Sequence, residues 1–193
     1  MIKDIDRIEK AILELHERRD KIIDLSRKAI MLTGKSITAM HAGKMPYAKE
    51  LLDESVIILS KIKKLEKGME FYSLQCHQEV VEARLIYHII KEGKILGAKE
   101  LGEGELPYLL GLLDCVGELK REAFESMRKN EANKAMKYYE IMLDIYDSTL
   151  PLRFASSLVP EFRKKQDVAR IQLESTSNAI LFHKPQKKSR NTQ

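Results

Sequence analysis

Apolar residues return every three or four positions along most of the chain. From Ile2 to about His41, the positions Ile5, Ile8, Ile12, Leu15, Ile22, Leu25, Ala29 and Leu32 keep this rhythm with one seven-residue step, which predicts a single long amphipathic helix. A second predicted helix opens near Pro46, whose fixed φ suits a first turn, and runs to about Lys67, where Gly68 stops it. Further predicted helices span about Glu70 to Lys91, Pro107 to Lys129, Glu131 to Thr149 and Pro160 to Phe182. The segment from Glu92 to Glu105 holds four glycines and predicts a loop; Pro151 and Pro160 bracket a short connection. No alternating apolar and polar run bounded by Asn-Gly or Asp-Gly turns is present, which argues against a substantial sheet. Long helices with short connections predict an all-α antiparallel bundle of about six to seven helices.

Composition narrows the class. With 193 residues, 44% of them hydrophobic and 33% charged, the chain is long enough for one well-filled domain, expected over residues 1–184. The stretch from Pro185 to Gln193 is polar and basic and predicts a disordered tail. There is no run of 18 apolar residues, and the start Met-Ile-Lys-Asp-Ile-Asp lacks the basic-then-apolar layout of a secretory signal, so a soluble, cytoplasmic protein without a membrane partner is expected. Cys76 and Cys115 fall inside predicted helices and form no Cys-x-x-Cys pattern, which fits reduced thiols and disfavours zinc. A His-Glu-x-x-His zinc motif, a Gly-x-Ser-x-Gly elbow, a Walker loop and a dinucleotide fingerprint are all missing from the sequence.

The net charge of +5 permits an anionic partner such as nucleic acid. Charge is concentrated between His16 and Lys44, where seven Lys or Arg face three acids. Arg18, Arg19, Lys21, Arg27, Lys28 and Lys35 are candidates for holding phosphates; a solvated basic face is the plainer reading.

The third predicted helix carries the sharpest anomaly. At about 100° per residue, Glu79 and Glu82 share a face with Phe71, Tyr72, Ala83, Ile86, Ile89 and Ile90, while Ser73, His77, Arg84, His88 and Lys91 form the polar side. Two carboxylates thus point where a core belongs. Burying them calls for hydrogen-bond donors, a basic partner or a metal ion. A hard-cation site for phosphodiester chemistry and a structural ion pair with a neighbouring helix are both open on this spacing.

On the fourth predicted helix, Asp114, Glu118, Arg121, Glu125 and Arg128 line one stripe, opposite Leu109, Leu112, Leu113, Val116, Leu119, Ala123 and Met127. The stripe reads as a solvated face, except that Leu110, Gly111 and Gly117 beside Asp114 would let another backbone come close. Glu140, Asp144 and Asp147 on the fifth helix line up on its expected solvent side and read as structural.

Four blocks in order resemble the translin superfamily, closest to its translin-associated factor X branch: His16 to His41, Gln78-Glu-Val-Val-Glu-Ala83, Leu113-Asp-Cys-Val-Gly-Glu-Leu-Lys-Arg121 and Ser177-Asn-Ala-Ile180. The resemblance implies an all-α fold of about seven helices and homo-oligomers, octamer-like, that close into a hollow barrel around RNA or single-stranded DNA. In the translin-associated factor X branch it also implies Mg²⁺-dependent endoribonuclease activity, with Mn²⁺ as a substitute, whereas translin itself lacks the full acidic set. Carried over residue by residue, Glu79, Glu82 and Asp114 match the catalytic, metal-binding acids, and Glu118 matches a further family glutamate in the Gly-Glu-Leu block. Arg121, close to the acids in sequence, joins the phosphate-holding candidates. Retention of all three acids favours a metal-dependent endoribonuclease acting on RNA, single-stranded by preference; a non-catalytic translin-like binder of single-stranded RNA or DNA is the alternative. The chain is shorter than eukaryotic members near residues 92–106 and resembles compact prokaryotic homologues, which leaves open whether a second, translin-like subunit joins it.

Overall fold

The computed structural model describes residues 4–159 and 161–182. They form seven helices: α1 (Ile5–His41), α2 (Met45–Leu65), α3 (Leu74–Glu92), α4 (Ala98–Leu101), α5 (Glu105–Arg128), α6 (Ala132–Thr149) and α7 (Phe162–Phe182), with a 3₁₀ turn at Glu70–Tyr72 before α3. No strand occurs among the described residues, so the class is all-α as the periodicity predicts. The Pro185–Gln193 tail lies outside the described residues. Backbone contacts divide the chain into two compact units, Met1–Gly111 and Leu112–Gln193.

In the first unit α1, α2 and α3 pack on one another. Their core holds Ile22, Ala29 and Leu32 from α1, Leu51, Ile58, Leu59 and Ile62 from α2, and Cys76 and Val80 from α3. The buried seam of α1 also carries small hydroxyl residues, Ser26, Thr33 and Ser36. Ser36 Oγ donates to Ala48 O at 2.7 Å, tying α1 to α2 where a larger side chain would hold them apart. α3 is buried around most of its circumference: Cys76, His77, Val80, Val81, Glu82, Ala83, Leu85, Ile86, Tyr87 and Ile89 are all removed from water. It ends at Gly93, whose φ of 67° lies in the left-handed region where a glycine cap is cheap.

Three expectations at α3 and its flanks are corrected. Phe71 and Tyr72 do not lie on the apolar face of α3; they sit on the 3₁₀ turn before it and are exposed, Phe71 to 84%. Ser73 and His77 are not on a solvent side, for both are buried in hydrogen bonds with acids of the same unit. The glycine-rich segment is not all loop: Ala98–Leu101 makes one helical turn, anchored by buried Leu101 and by Glu100 Oε2 accepting the Gly97 N–H at 2.7 Å.

In the second unit α6 packs against α7. Phe154 meets Phe162 edge-on at 5.2 Å, and Gln166 Nε2 donates to Thr149 O at 2.7 Å. Buried residues on the solvent-averse sides include Met142 and Ile145 of α6 and Ala169 and Leu173 of α7. Glu140, Asp144 and Asp147 are exposed, as their place on α6 predicts.

Candidate functional site

Glu79 and Glu82 lie three residues apart on α3, so one turn carries both carboxylates on one side. Glu79 is half-buried and Glu82 is only 9% exposed. Both take part in a hydrogen-bonding or electrostatic interaction. The backbone beside them is crowded: a Cβ added to Gly111 would stand 2.7 Å from Gln78 O and 2.9 Å from Val81 Cγ1. Glycine at 111 therefore lets the first turns of α5 lie directly on α3, next to the glutamate-bearing turn.

Two residues before Glu79, the structure assembles a network that sequence spacing does not reveal. His77 stands between two carboxylates, Nδ1 at 2.7 Å from Glu103 Oε2 and Nε2 at 2.9 Å from Glu66 Oε2. Ser73 Oγ donates to Glu66 Oε2 at 2.5 Å. Lys63 Nζ reaches Glu103 Oε1 at 2.9 Å and Gly102 O at 2.6 Å. Only the imidazolium form can donate to both acids at once. Burial opposes the charge on His77, but the hydrogen bonds and charges of Glu103 and Glu66 outweigh it and hold its pKa above the ordinary value of 6.5. Burial likewise opposes ionisation of Glu103, and His77 and Lys63 overcome it, keeping that carboxyl below its ordinary range. The network borders a cleft of about 360 Å³ that Glu70, Leu74, Leu106 and Pro107 also line. It clamps α2, α3 and the connection leading into α5 together.

Asp114 is in the second unit, on α5. Its Oδ1 meets Lys165 Nζ of α7 at 2.5 Å, with both side chains largely shielded from water. It faces a partner helix rather than solvent, as the neighbouring glycines suggest. Gly117 is part of the same approach: a Cβ there would come within 3.1 Å of the Gln172 amide of α7. Beside the pair lies a pocket of about 200 Å³ lined by Leu113, Glu161, Lys164, Val168 and Gln172. Glu118 is half-buried, and the deeply buried acid of α5 is Glu122. Burial pushes the Tyr138 phenol up to about 12, and Glu122, its hydrogen-bond partner, reinforces the shift. Among the described residues no three His, Cys, Asp or Glu side chains are grouped so as to hold a metal ion.

The basic candidates divide into tied and open groups. Arg18 Nη2 donates to Lys67 O at 3.1 Å, Arg19 holds Asp20 at 2.6 Å, and Arg27 stands 3.7 Å from Asp24. Lys21, Lys28 and Lys35 are exposed and recur every seven residues, which sets them in a row along one face of α1, about 10.5 Å apart. Arg121 is exposed on α5, near Arg128, which pairs with Glu125 at 2.8 Å.

Residues 5–180 match the model of the Translin family. The chain belongs to this family. A relative from Methanocaldococcus jannaschii, an uncharacterised protein, is 34% identical over 169 residues, covering 84% of this chain and 75% of its own. Among solved structures, AfC3PO in complex with duplex RNA is similar with a TM-score of 0.86 and 28% identity, covering 92% of this chain and 94% of that one. NeC3PO without ligand is similar in fold, with a TM-score of 0.88 at 23% identity over 95% of this chain and 99% of that one. This Translin-family chain has no helix among the described residues that is long and apolar enough to cross a membrane.

Proposed function

We propose that this Translin-family protein binds RNA and cleaves it as a divalent-cation-dependent endoribonuclease of the translin-associated factor X type, working as a cytoplasmic homo-oligomer. The observation that carries the reading is the pair Glu79 and Glu82, two carboxylates on one turn of a buried helix in a chain similar to the RNA-bound AfC3PO over nearly its whole length. RNA binding is further supported by the open row Lys21, Lys28 and Lys35. In this reading Glu79, Glu82 and Asp114 are ligands of Mg²⁺ or Mn²⁺, and Glu118 orients a ligand. Their donors are hard carboxylate oxygens, the kind such ions prefer. When bound, the ion supplies charge to polarise a phosphate and to activate a water. The residues present set a condition on this: one Asp114 oxygen is held by the Lys165 ammonium, so Asp114 would offer an ion its other oxygen or give up that pair.

The second reading, an RNA or single-stranded DNA binder without catalysis, is favoured by the same Asp114–Lys165 pair and by the lack of a grouped metal set among the described residues. Cleavage assays decide between them, with single-stranded and duplex RNA offered separately in Mg²⁺, in Mn²⁺ and in EDTA. The nuclease reading expects cleavage that EDTA abolishes and that Glu79→Gln or Asp114→Asn lowers by roughly 10²–10³-fold while RNA binding persists. Salt-sensitive binding with no cleavage in either metal establishes the second reading, and full activity in EDTA defeats the metal.

A further inference from the structure

Phe71 is the most exposed large apolar side chain among the described residues, at 84%, and Tyr72 beside it is 45% exposed. The turn that carries them is pinned on both sides. Gly68, at φ 75°, follows α2, and its N–H donates to Glu70 Oε1 at 2.9 Å. Tyr72 N–H donates to Met69 O at 3.0 Å, and Met69 packs against the core that α1, α2 and α3 share. Buried Ser73 closes the turn, its hydroxyl donating to Glu66 Oε2 at 2.5 Å and its N–H to Glu70 O at 3.2 Å. The backbone is thus fixed while the Phe71 ring stands in water, which forgoes about 1.5–3 kcal/mol that burial of such a side chain supplies. The two rings meet edge-on, centroids 5.9 Å apart and planes at 77°, so Tyr72 braces Phe71.

The charge around this turn is mainly positive. The turn lies against α1, where Arg18 Nη2 donates to Lys67 O at 3.1 Å while the Arg18 Nε–H has no acceptor among the described residues. Lys64 and Lys67 are exposed at the end of α2, and Lys21, the first of the open lysine row, is one helical turn from Arg18. The one acid on the turn, Glu70, is folded back onto the Gly68 N–H. An open aromatic ring beside an under-bonded guanidinium and exposed ammonium groups matches the two halves of a nucleotide: a flat base for the ring and a phosphate for the cations. We propose that Phe71 is a stacking platform for an unpaired base of bound RNA, with Arg18 and Lys67 holding the phosphate beside that base. The platform rests on the RNA-binding reading above and is independent of metal and of cleavage. Because a duplex keeps its bases stacked on one another, the platform favours single strands, bulges and strand ends over fully paired RNA.

Affinities of the full chain for a single-stranded RNA oligonucleotide test it. Phe71→Ala and Phe71→Leu should each weaken binding by roughly 10- to 100-fold, the loss of one base–ring stack, while Phe71→Trp should keep wild-type affinity. The slope of affinity against salt should stay the same in all three variants, because no phosphate contact is removed. An abasic sugar–phosphate strand of the same length should bind wild type and Phe71→Ala alike, and the loss should be smaller for a fully paired duplex. Strands carrying 5-iodouridine, irradiated on the wild-type protein, should crosslink to the peptide that contains Phe71. Far-UV circular dichroism and sedimenting mass should be unchanged in Phe71→Ala, since the ring is exposed. A wild-type chain that binds no RNA overturns the RNA-binding reading and the platform with it. Single-strand affinity that is equal in wild type, Phe71→Ala and Phe71→Leu overturns the platform alone. So does a loss of affinity that comes only with a loss of sedimenting mass, which would set the ring against a second copy of the chain.

Discussion

His77 is held by two bonds that only its charged form can make together, which ties the stability of the first unit to pH. The sign follows from linkage. His77 is shifted up in the folded state, so its contribution is fully present below the ordinary value of 6.5 and is lost as pH rises through the higher folded value. Glu103 is shifted down, so its contribution is present above the ordinary value of 4.5 and is lost as pH falls through the lower folded value. Wild type is therefore expected to lose stability as pH rises above 6.5, by more than His77→Gln does, and the difference between their denaturant midpoints across pH 6–9 measures the effect. At pH 6 the substitution should cost roughly 2–4 kcal/mol, since it leaves a shielded carboxylate short of a donor; equal slopes for the two proteins would sink the account. The carboxylate pair on α3 was legible from a helical wheel because Glu79 and Glu82 are local partners on one turn. The His77 bridge was not, because its acids come from 11 and 26 residues away, one of them in a glycine-rich connection that periodicity reads as loop. Lys165 was hidden for the same reason, 51 residues from the Asp114 it neutralises.

Two glycines of α5 look alike in the sequence and should respond oppositely to alanine. At Gly111 the new Cβ would meet a backbone carbonyl and a buried valine, neither of which can yield without moving α3. Gly111→Ala should destabilise by about 1–3 kcal/mol, lowering the melting temperature by about 2–4 °C per kcal/mol. At Gly117 the obstacle is the end of the Gln172 side chain at 3.1 Å, which can turn aside, and alanine gains up to about 1 kcal/mol of helix propensity. Gly117→Ala should be neutral or stabilising; thermal melts of the two variants side by side check the contrast, and equal losses would mean that α7 presses on Gly117 as rigidly as α3 does on Gly111. At this scale the six long helices were readable, since their apolar rhythm is long and most of their ends carry Pro or Gly. α1 and α2 begin and end within three residues of the sequence-predicted bounds. What escaped the reading were short elements, the 3₁₀ turn that exposes Phe71 and the single turn of α4, because three or four residues carry no periodicity and are fixed by tertiary anchors such as Leu101.

For the molecule as a whole, a net charge of +5 attracts any polyanion, and the useful question is whether RNA follows the overall field or the row on α1. Counterion release separates the two. Binding to single strands weakens with salt along a log–log slope of roughly −0.7 per neutralised phosphate, so three direct lysine contacts account for a slope of about −2. Replacing Lys21, Lys28 and Lys35 together by alanine should flatten the salt dependence of RNA affinity by about 2. Replacing three other exposed lysines, Lys91, Lys99 and Lys137, removes the same charge from the global field and should leave the slope nearly unchanged. Affinities measured by fluorescence anisotropy between 50 and 300 mM salt give both slopes. Because the contribution of each direct phosphate contact shrinks as salt rises, the two triple variants should diverge most at the lower end of that range and converge toward its upper end. Parallel slopes for the two variants would show that the row is an ordinary solvated face and that RNA is held elsewhere.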